Sequence, residues 1–326
     1  MQTLVSGATG TLGSAIVTEL LAAGRTVRCL VRNLDAARAI LPATCEFVLG
    51  DVTDQASIHA AMDGCSAVFH ASGLAEQWLP DTSLFDRVNV GGTRHMVEAA
   101  LATNVQSFVY TSTQDLFDFT LDSFDETNPQ TRSGLSPYEQ SKKHAEDIVL
   151  AALDRGLPAR FAHPVAIYGP VRGRWTGLNH FLLDLYHNKV PLLLPGGFPV
   201  VLNQDCARGH LLIEERGPIG EHFILSESYQ TLRDIAKEMA SIETEVRVPR
   251  MMPGWTARAI AFVGEFVSKL TQKPPIISSG ELSVLRRPGR PSSHKARTEL
   301  GWQTTSFGEG LKATLSLMRE NKLNGS

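Results

Sequence analysis

The segment YEQSK places Tyr138 and Lys142 four residues apart on a strongly helical pattern, so both side chains project from one face. A phenol titrates at about 10 and exchanges protons poorly near neutrality. An ammonium one turn away favours the phenolate and lowers that value, which makes the pair a general acid/base. Alone, Y-x-x-x-K recurs by chance, and its position in the chain gives it weight. A second constellation precedes it. In FVYTSTQDLF an apolar, β-branched run stops at three hydroxyls, Thr111, Ser112 and Thr113. Turns more often recruit Gly, Asn or Pro. These hydroxyls either cap a strand end or supply a group that does chemistry.

The N-terminal segment SGATGTLG offers a different chemistry. Gly7, Gly10 and Gly13 lie between an apolar strand and a helical pattern, with Thr9, Thr11 and Leu12 among them. Glycine permits the tight turn and lets a pyrophosphate approach the backbone, and the helix N-terminus adds free N–H groups. The spacing is GxxGxxG. An acidic residue at the end of the second strand would bind a ribose 2′-hydroxyl. The strand TVRCLVRN carries Arg32 there instead, which suits a 2′-phosphate and favours NADP(H), with NAD(H) as the alternative. In GDVTD, Asp51 precedes Val52 at the end of the third strand, where its carboxylate could accept from an adenine amino group or cap an Asx-type turn.

Short apolar strands alternate with helical patterns through the first 165 residues, which predicts a parallel sheet covered by helices on both faces. The fold class expected is α/β, a Rossmann-type doubly wound sheet over residues 1–170, with a possible returning strand near 221–226. Past residue 170 Gly and Pro become dense, and residues 171–326 read as a smaller mixed lobe for substrate. The 326 residues are 43% hydrophobic and 20% charged, with net charge −3, which favours neither a nucleic-acid nor a membrane-surface partner. Four scattered cysteines without a CxxC pair suit a reducing, cytoplasmic setting. No signal-peptide pattern opens the chain, and no run reaches the roughly 18 apolar residues of a membrane span. WTARAIAFVGEFVSKL (255–270) reads as an amphipathic surface helix. No HExxH or clustered His/Cys spacing occurs, so no metal is expected.

The motifs SGATGTLG, GDVTD, VFHAS, VNVGGT, VYTST, YEQSK and HPVAIYGP resemble, in order and spacing, the extended short-chain dehydrogenase/reductase family. The resemblance spans about the first 170 residues, and SSHKARTELGW resembles that family's C-terminal end. The chain is most similar to dihydroflavonol-reductase-like and 3β-hydroxysteroid-dehydrogenase-like members. The resemblance implies that Tyr138 is the acid/base, that Lys142 binds the nicotinamide ribose and depresses the Tyr138 pKa, and that Thr113 is the catalytic hydroxyl. Ser112 is the supporting candidate. Ala71, Ser72 and Gly73 would pass under the cofactor, Pro164 and Val165 would line the nicotinamide, and Asn89 would brace a strand to a helix. Three positions depart from the pattern: Ser6 for Thr, His163 for the usual Arg before Pro, and Thr113 for Ser.

The family covers reductases, dehydrogenases, epimerases and dehydratases. Thr113-Gln114-Asp115 stands where dehydratases have Thr-Asp-Glu, which weighs against water elimination. The leading expectation is an NADP(H)-dependent oxidoreductase that interconverts a ketone and a secondary alcohol. The alternatives are a sugar-nucleotide epimerase and a non-catalytic NADP-binding regulator. Gln77, Trp78, Phe117, Phe119, Tyr168, Trp175, His180, Phe181 and Tyr186 are the candidate substrate lining, and their character implies a hydrophobic or ring-bearing small molecule. A homodimer through helices near 89–103 and 137–154 is expected.

Overall fold

The structure, a computed structural model, describes residues 1–76, 79–257, 260, 264 and 279–323. Seven parallel strands form the main sheet: β1 (Gln2–Ser6), β2 (Thr26–Val31), β3 (Glu46–Leu49), β4 (Ala67–His70), β5 (Ser107–Thr111), β6 (Ala159–Pro164) and β9 (His222–Leu225). Their order is β9-β6-β5-β4-β1-β2-β3. It reverses between β1 and β4, the switch point at which such sheets open a crevice beyond their C-terminal strand ends. Strand β9 pairs with β6 in the register His222↔Phe161. A separate three-stranded sheet is built from β7 (Ala166–Tyr168), β8 (Gly197–Leu202) and β10 (Ser228–Thr231).

Side-chain alternation along the strands feeds two cores. Val5, Phe69, Val109 and Ala162 meet α1 (Thr11–Ala22) and α7 (Asn203–Arg216) on one face. Leu4, Val68, Phe108 and Phe161 meet α3 (Gln55–Met62), α4 (Gly92–Ala102) and α5 (Pro137–Leu153) on the other. Both faces are therefore dry, as an all-parallel sheet requires. Beyond residue 170 the chain is not a lobe set wholly apart. Helix α7 packs along α1, and the Trp302 indole donates to the Asp205 carbonyl at 2.8 Å from within the first core. A third core gathers Tyr168, Leu182, Val200, Ile235 and Leu311.

Local sequence explains the boundaries that matter. Helix α5 starts at a capping box: Ser136 accepts from the Glu139 N–H, Glu139 accepts from the Ser136 N–H, and Pro137 follows the cap. The apolar stripes on α4 and α5 serve the fold, since Val97 is fully buried and Ile148 and Leu153 are half-buried. Most of the stretch 255–270 lies outside the described residues. Among the described residues no helix is long and apolar enough to cross a membrane.

The turn from β1 into α1 is the tightest contact in this frame. Gly7 has φ +72°, and a Cβ there would sit 2.7 Å from the Ala71 carbonyl oxygen. A Cβ on Gly13 would sit 2.0 Å from the Gly7 carbonyl oxygen. Gly13→Ala should therefore cost about 1–3 kcal/mol of stability and weaken dinucleotide binding. Urea denaturation and cofactor fluorescence titration check this, and unchanged values in both would show that the turn can shift.

Candidate active site

Thr113, Tyr138 and Lys142 meet at the C-terminal end of β5, and all three are buried. Thr113 lies two residues past the end of β5, and Tyr138 lies in the first turn of α5. The Tyr138 phenol is raised well above its usual value, by burial first and by Asp115 next, with a hydrogen bond from Thr113 opposing. The Lys142 ammonium donates to the Thr111 carbonyl at 2.8 Å and to the Tyr110 hydroxyl at 3.2 Å. Burial lowers its pKa to about 8, with Glu146 opposing. Asp115, Glu139 and Arg287 are the charges that act most strongly on the Tyr138 phenol, while the Lys142 ammonium is held by the Thr111 carbonyl at the end of β5.

The three adjacent hydroxyls have three separate partners. Thr111 pairs with His210 Nε2 at 3.0 Å. Ser112 donates to Glu146 in a short hydrogen bond. Thr113 bonds Asp115 Oδ2 at 3.2 Å and accepts from the Asp115 N–H. Only Thr113 stands beside the Tyr138 phenol, and Ser112 is committed elsewhere.

Asp115 is a site group that sequence reasoning used only as an argument against dehydration. It is buried, accepts from Gln114 Nε2 at 2.7 Å, and is ion-paired with Arg287. Arg287 also pairs with Glu139 at 2.8 Å and stacks 3.9 Å over the Phe119 ring. Residues 290–291 reach this place by pairing in parallel with 123–124, and the Gly289 N–H bonds the Phe119 carbonyl at 3.1 Å. The run RRPGRP was the available signal, but nothing in sequence ties it to a partner 172 positions away. Burial raises the Asp115 pKa, and the Arg287 charge opposes it.

Helix α1 begins at Gly10 with no side-chain cap and no acid in its first turn, and Gly10 itself is exposed. That leaves a positive helix end for an anion, flanked by Thr9, Thr11 and Leu12. Ala71 lies against Gly7, and the Ser72 N–H reaches the Ser6 hydroxyl at 3.4 Å. Asn89 clamps both backbone groups of Leu74, at 2.8 and 3.1 Å, and donates to Ser141. It braces the segment after β4, Gly73 included, against α5. Val165 and Pro164 end β6 in the same crevice. Arg32 is exposed past β2 with no ion-pair partner among the described residues. Asp51 Oδ1 accepts from the Thr53 N–H at 2.9 Å and from its hydroxyl at 2.8 Å, an Asx-type turn, and Val52 is buried under Gly92. An uncapped helix end beside a side-chain-free turn fits a nicotinamide dinucleotide.

The substrate candidates separate. Tyr168 is fully buried in the third core, its hydroxyl bonded to the Phe307 carbonyl, so it packs the lobe instead of lining a cleft. Trp175, Phe181 and Tyr186 pack partly buried against that core. His180 is a surface residue paired with Asp184 at 3.5 Å, because one helical turn separates them on an outer face. Phe117 and Phe119 are buried with Phe124 and Ile224. Gln77 and Trp78 lie outside the described residues.

The sequence description NAD dependent epimerase/dehydratase family matches residues 3–225, more than half of the chain. The chain belongs to that family. It is an NAD(P)-dependent enzyme of the extended short-chain dehydrogenase/reductase type. Sterol demethylase protein B of Methylococcus capsulatus is 29% identical to it over 98% of this chain and 99% of its own length. A 4-hydroxy-2-methyl-3-oxo-4-farnesyl-3,4-dihydroquinoline-1-oxide ketoreductase of Stigmatella aurantiaca is 30% identical over 93% of this chain and 92% of its own. The crystal structure of gox2253 superposes with a TM-score of 0.82 at 29% identity, covering 98% of each chain.

Within this family member, removing the Arg287 cation takes the ion-pair partner from buried Asp115 and leaves buried Glu139 with Arg132, 3.7 Å away. Arg287→Ala should destabilise the protein by about 3–5 kcal/mol, read by urea denaturation near neutral pH. A loss well below 1 kcal/mol would mean that the carboxylates are resolvated on their own.

Proposed function

We propose that the protein is an NADP(H)-dependent oxidoreductase that interconverts a ketone and a secondary alcohol on a hydrophobic or ring-bearing small molecule. The observation that carries this reading is the buried Thr113 hydroxyl beside the Tyr138 phenol, at the strand ends that flank the cofactor turn. Residues Gly7 to Gly13 would hold the pyrophosphate, Arg32 a 2′-phosphate, and Ala71, Pro164 and Val165 the walls of the crevice. A bound nicotinamide dinucleotide supplies or accepts the hydride. Tyr138 gives its proton to the carbonyl oxygen in reduction and takes it back in oxidation. Thr113 would turn its hydroxyl hydrogen from Asp115 Oδ2 to the same oxygen and fix its place before the proton moves. Lys142, held by the Thr111 carbonyl at 2.8 Å, would hydrogen-bond the nicotinamide ribose. Residues past 170, with a core of their own, would supply the substrate side.

The likeness to a protein named as a ketoreductase of a farnesyl-bearing ring supports the reaction class, and the likeness to one named for sterol demethylation supports an apolar substrate. One observation favours a second reading, epimerisation of a sugar nucleotide. A cleft of about 480 Å³ is lined by Arg286, Arg287 and Arg290, and arginines suit a diphosphate. Much of that charge is spent. Arg287 is paired with two carboxylates, and Arg290 stacks 3.3 Å over the Tyr229 ring.

Tyr138→Phe should lower ketone-dependent NADPH oxidation by about 10²–10⁴-fold while NADPH binding persists. A variant as active as the parent on a panel of ketosteroids, flavonoid ketones, aliphatic ketones and sugar nucleotides would sink the mechanism. Binding without turnover by the parent would leave a non-catalytic NADP-binding protein. Arg32→Glu should shift the NADPH/NADH ratio of kcat/KM toward NADH by roughly 10–100-fold, the worth of one hydrogen bond to a charged group. A parent enzyme that prefers NADH overturns the role given to Arg32.

A further inference from the structure

Three metal-ligand side chains from three elements converge beside the strand end that carries Thr113. They are Glu146 from α5, His163 from β6 and His222 from β9, with one ligand atom of each within 4.8 Å of the others. His163 Nε2 lies 2.9 Å from His222 Nδ1 and 3.8 Å from Glu146 Oε2, and His222 Nδ1 lies 3.8 Å from Glu146 Oε1. Zinc–nitrogen and zinc–oxygen bonds of about 2.0–2.2 Å in a tetrahedron put neighbouring ligand atoms about 3.3 Å apart. The imidazole–imidazole edge of 2.9 Å lies below that value, and the two imidazole–carboxylate edges of 3.8 Å, one to each Glu146 oxygen, lie above it.

The surroundings hold each ligand side chain in place. His163 Nδ1 lies 3.0 Å from the Thr113 carbonyl, which only accepts, so the ring proton is on Nδ1 and the Nε2 lone pair faces the centre. This is the supporting bond expected behind a metal-bound imidazole. The Ser112 hydroxyl donates to Glu146 and turns its carboxylate. The His222 ring is stacked on Phe161 with centroids 4.4 Å apart. Glu146 and His163 are buried, while the His222 side chain keeps 26% of its surface exposed. That opening gives a path of entry and room for a water as fourth ligand.

We propose that Glu146, His163 Nε2 and His222 Nδ1 form a mononuclear site for a borderline divalent cation, zinc above all. Two imidazoles and one carboxylate suit zinc better than the oxygen-seeking magnesium or calcium. Without the ion, His222 Nδ1–H donates to His163 Nε2. Binding moves that proton to His222 Nε2 by way of solvent, so the ring stays neutral with its Nδ1 lone pair on the ion, and nothing is oxidised or reduced. The ion would clamp β9 and β6 to α5, the helix that carries Tyr138 and Lys142. Pattern reading finds no metal because the three ligands belong to three separate segments, and the two histidines are 59 positions apart.

The test is titration of the chelator-treated full-length chain with cobalt(II) and, separately, zinc chloride. One equivalent should bind, with the visible d–d absorption of four-coordinate cobalt and a zinc-dependent rise in Tm. His222→Phe keeps a ring stacked on Phe161 but removes the ligand nitrogen, and it should abolish both signals. Its circular dichroism without ion serves as the folding control. Glu146→Gln should weaken binding at least roughly tenfold, and it decides the matter should the first variant misfold. No saturable binding of either ion, a six-coordinate cobalt spectrum, or binding undiminished in both variants overturns the proposal.

Discussion

The structure depends on a contact in which no side chain takes part. Gly13 rests on the carbonyl of Gly7, and Gly7 rests on the carbonyl of Ala71. This double approach brings the start of α1 against the chain leaving β4. Because β4 and β5 are neighbours in the sheet, the same approach fixes the cofactor turn relative to Thr113. An added methyl at either glycine would push apart backbone atoms that have no rotamer to yield. The rest of the crevice inherits its width from this junction.

The catalytic end is organised by burial and charge. Tyr138 sits among groups that oppose ionisation, and its phenol keeps its proton at neutral pH. That is the state a proton donor needs. Lys142, by contrast, is pushed toward neutrality by the same burial. The two halves of the YxxxK pair are thus drawn toward uncharged forms by one physical cause. Around them, Arg287 pairs with both Asp115 and Glu139 in a dry setting, and Arg132 stands 3.7 Å from Glu139.

Much of this was legible in sequence where the determinants are local. The glycine spacing, the one-turn separation of Tyr138 from Lys142 and the strand alternation all act within about a dozen residues, and the parallel sheet follows from the alternation. The finer site was not legible, because its partners are brought together only by the fold. Arg287 meets Asp115, and His222 meets His163, across long stretches of chain. Tyr168 shows a different limit. An aromatic ring in a Gly- and Pro-rich segment reads the same whether it lines a pocket or fills a core. The direction of the Lys142 ammonium is decided by the Thr111 carbonyl, and helical spacing cannot specify it.

The Arg287 pairing has a consequence for biosynthesis. The carboxylate of Asp115 and the cation that neutralises it are separated by 172 positions. At a synthesis rate of about 5–20 residues per second, the arginine is made roughly 9–34 s after its partner. Throughout that interval the nascent sheet can form, yet Asp115 lacks the cation that neutralises it and must stay in water. The cleft around Tyr138 therefore closes late, when the last part of the chain arrives to cover it.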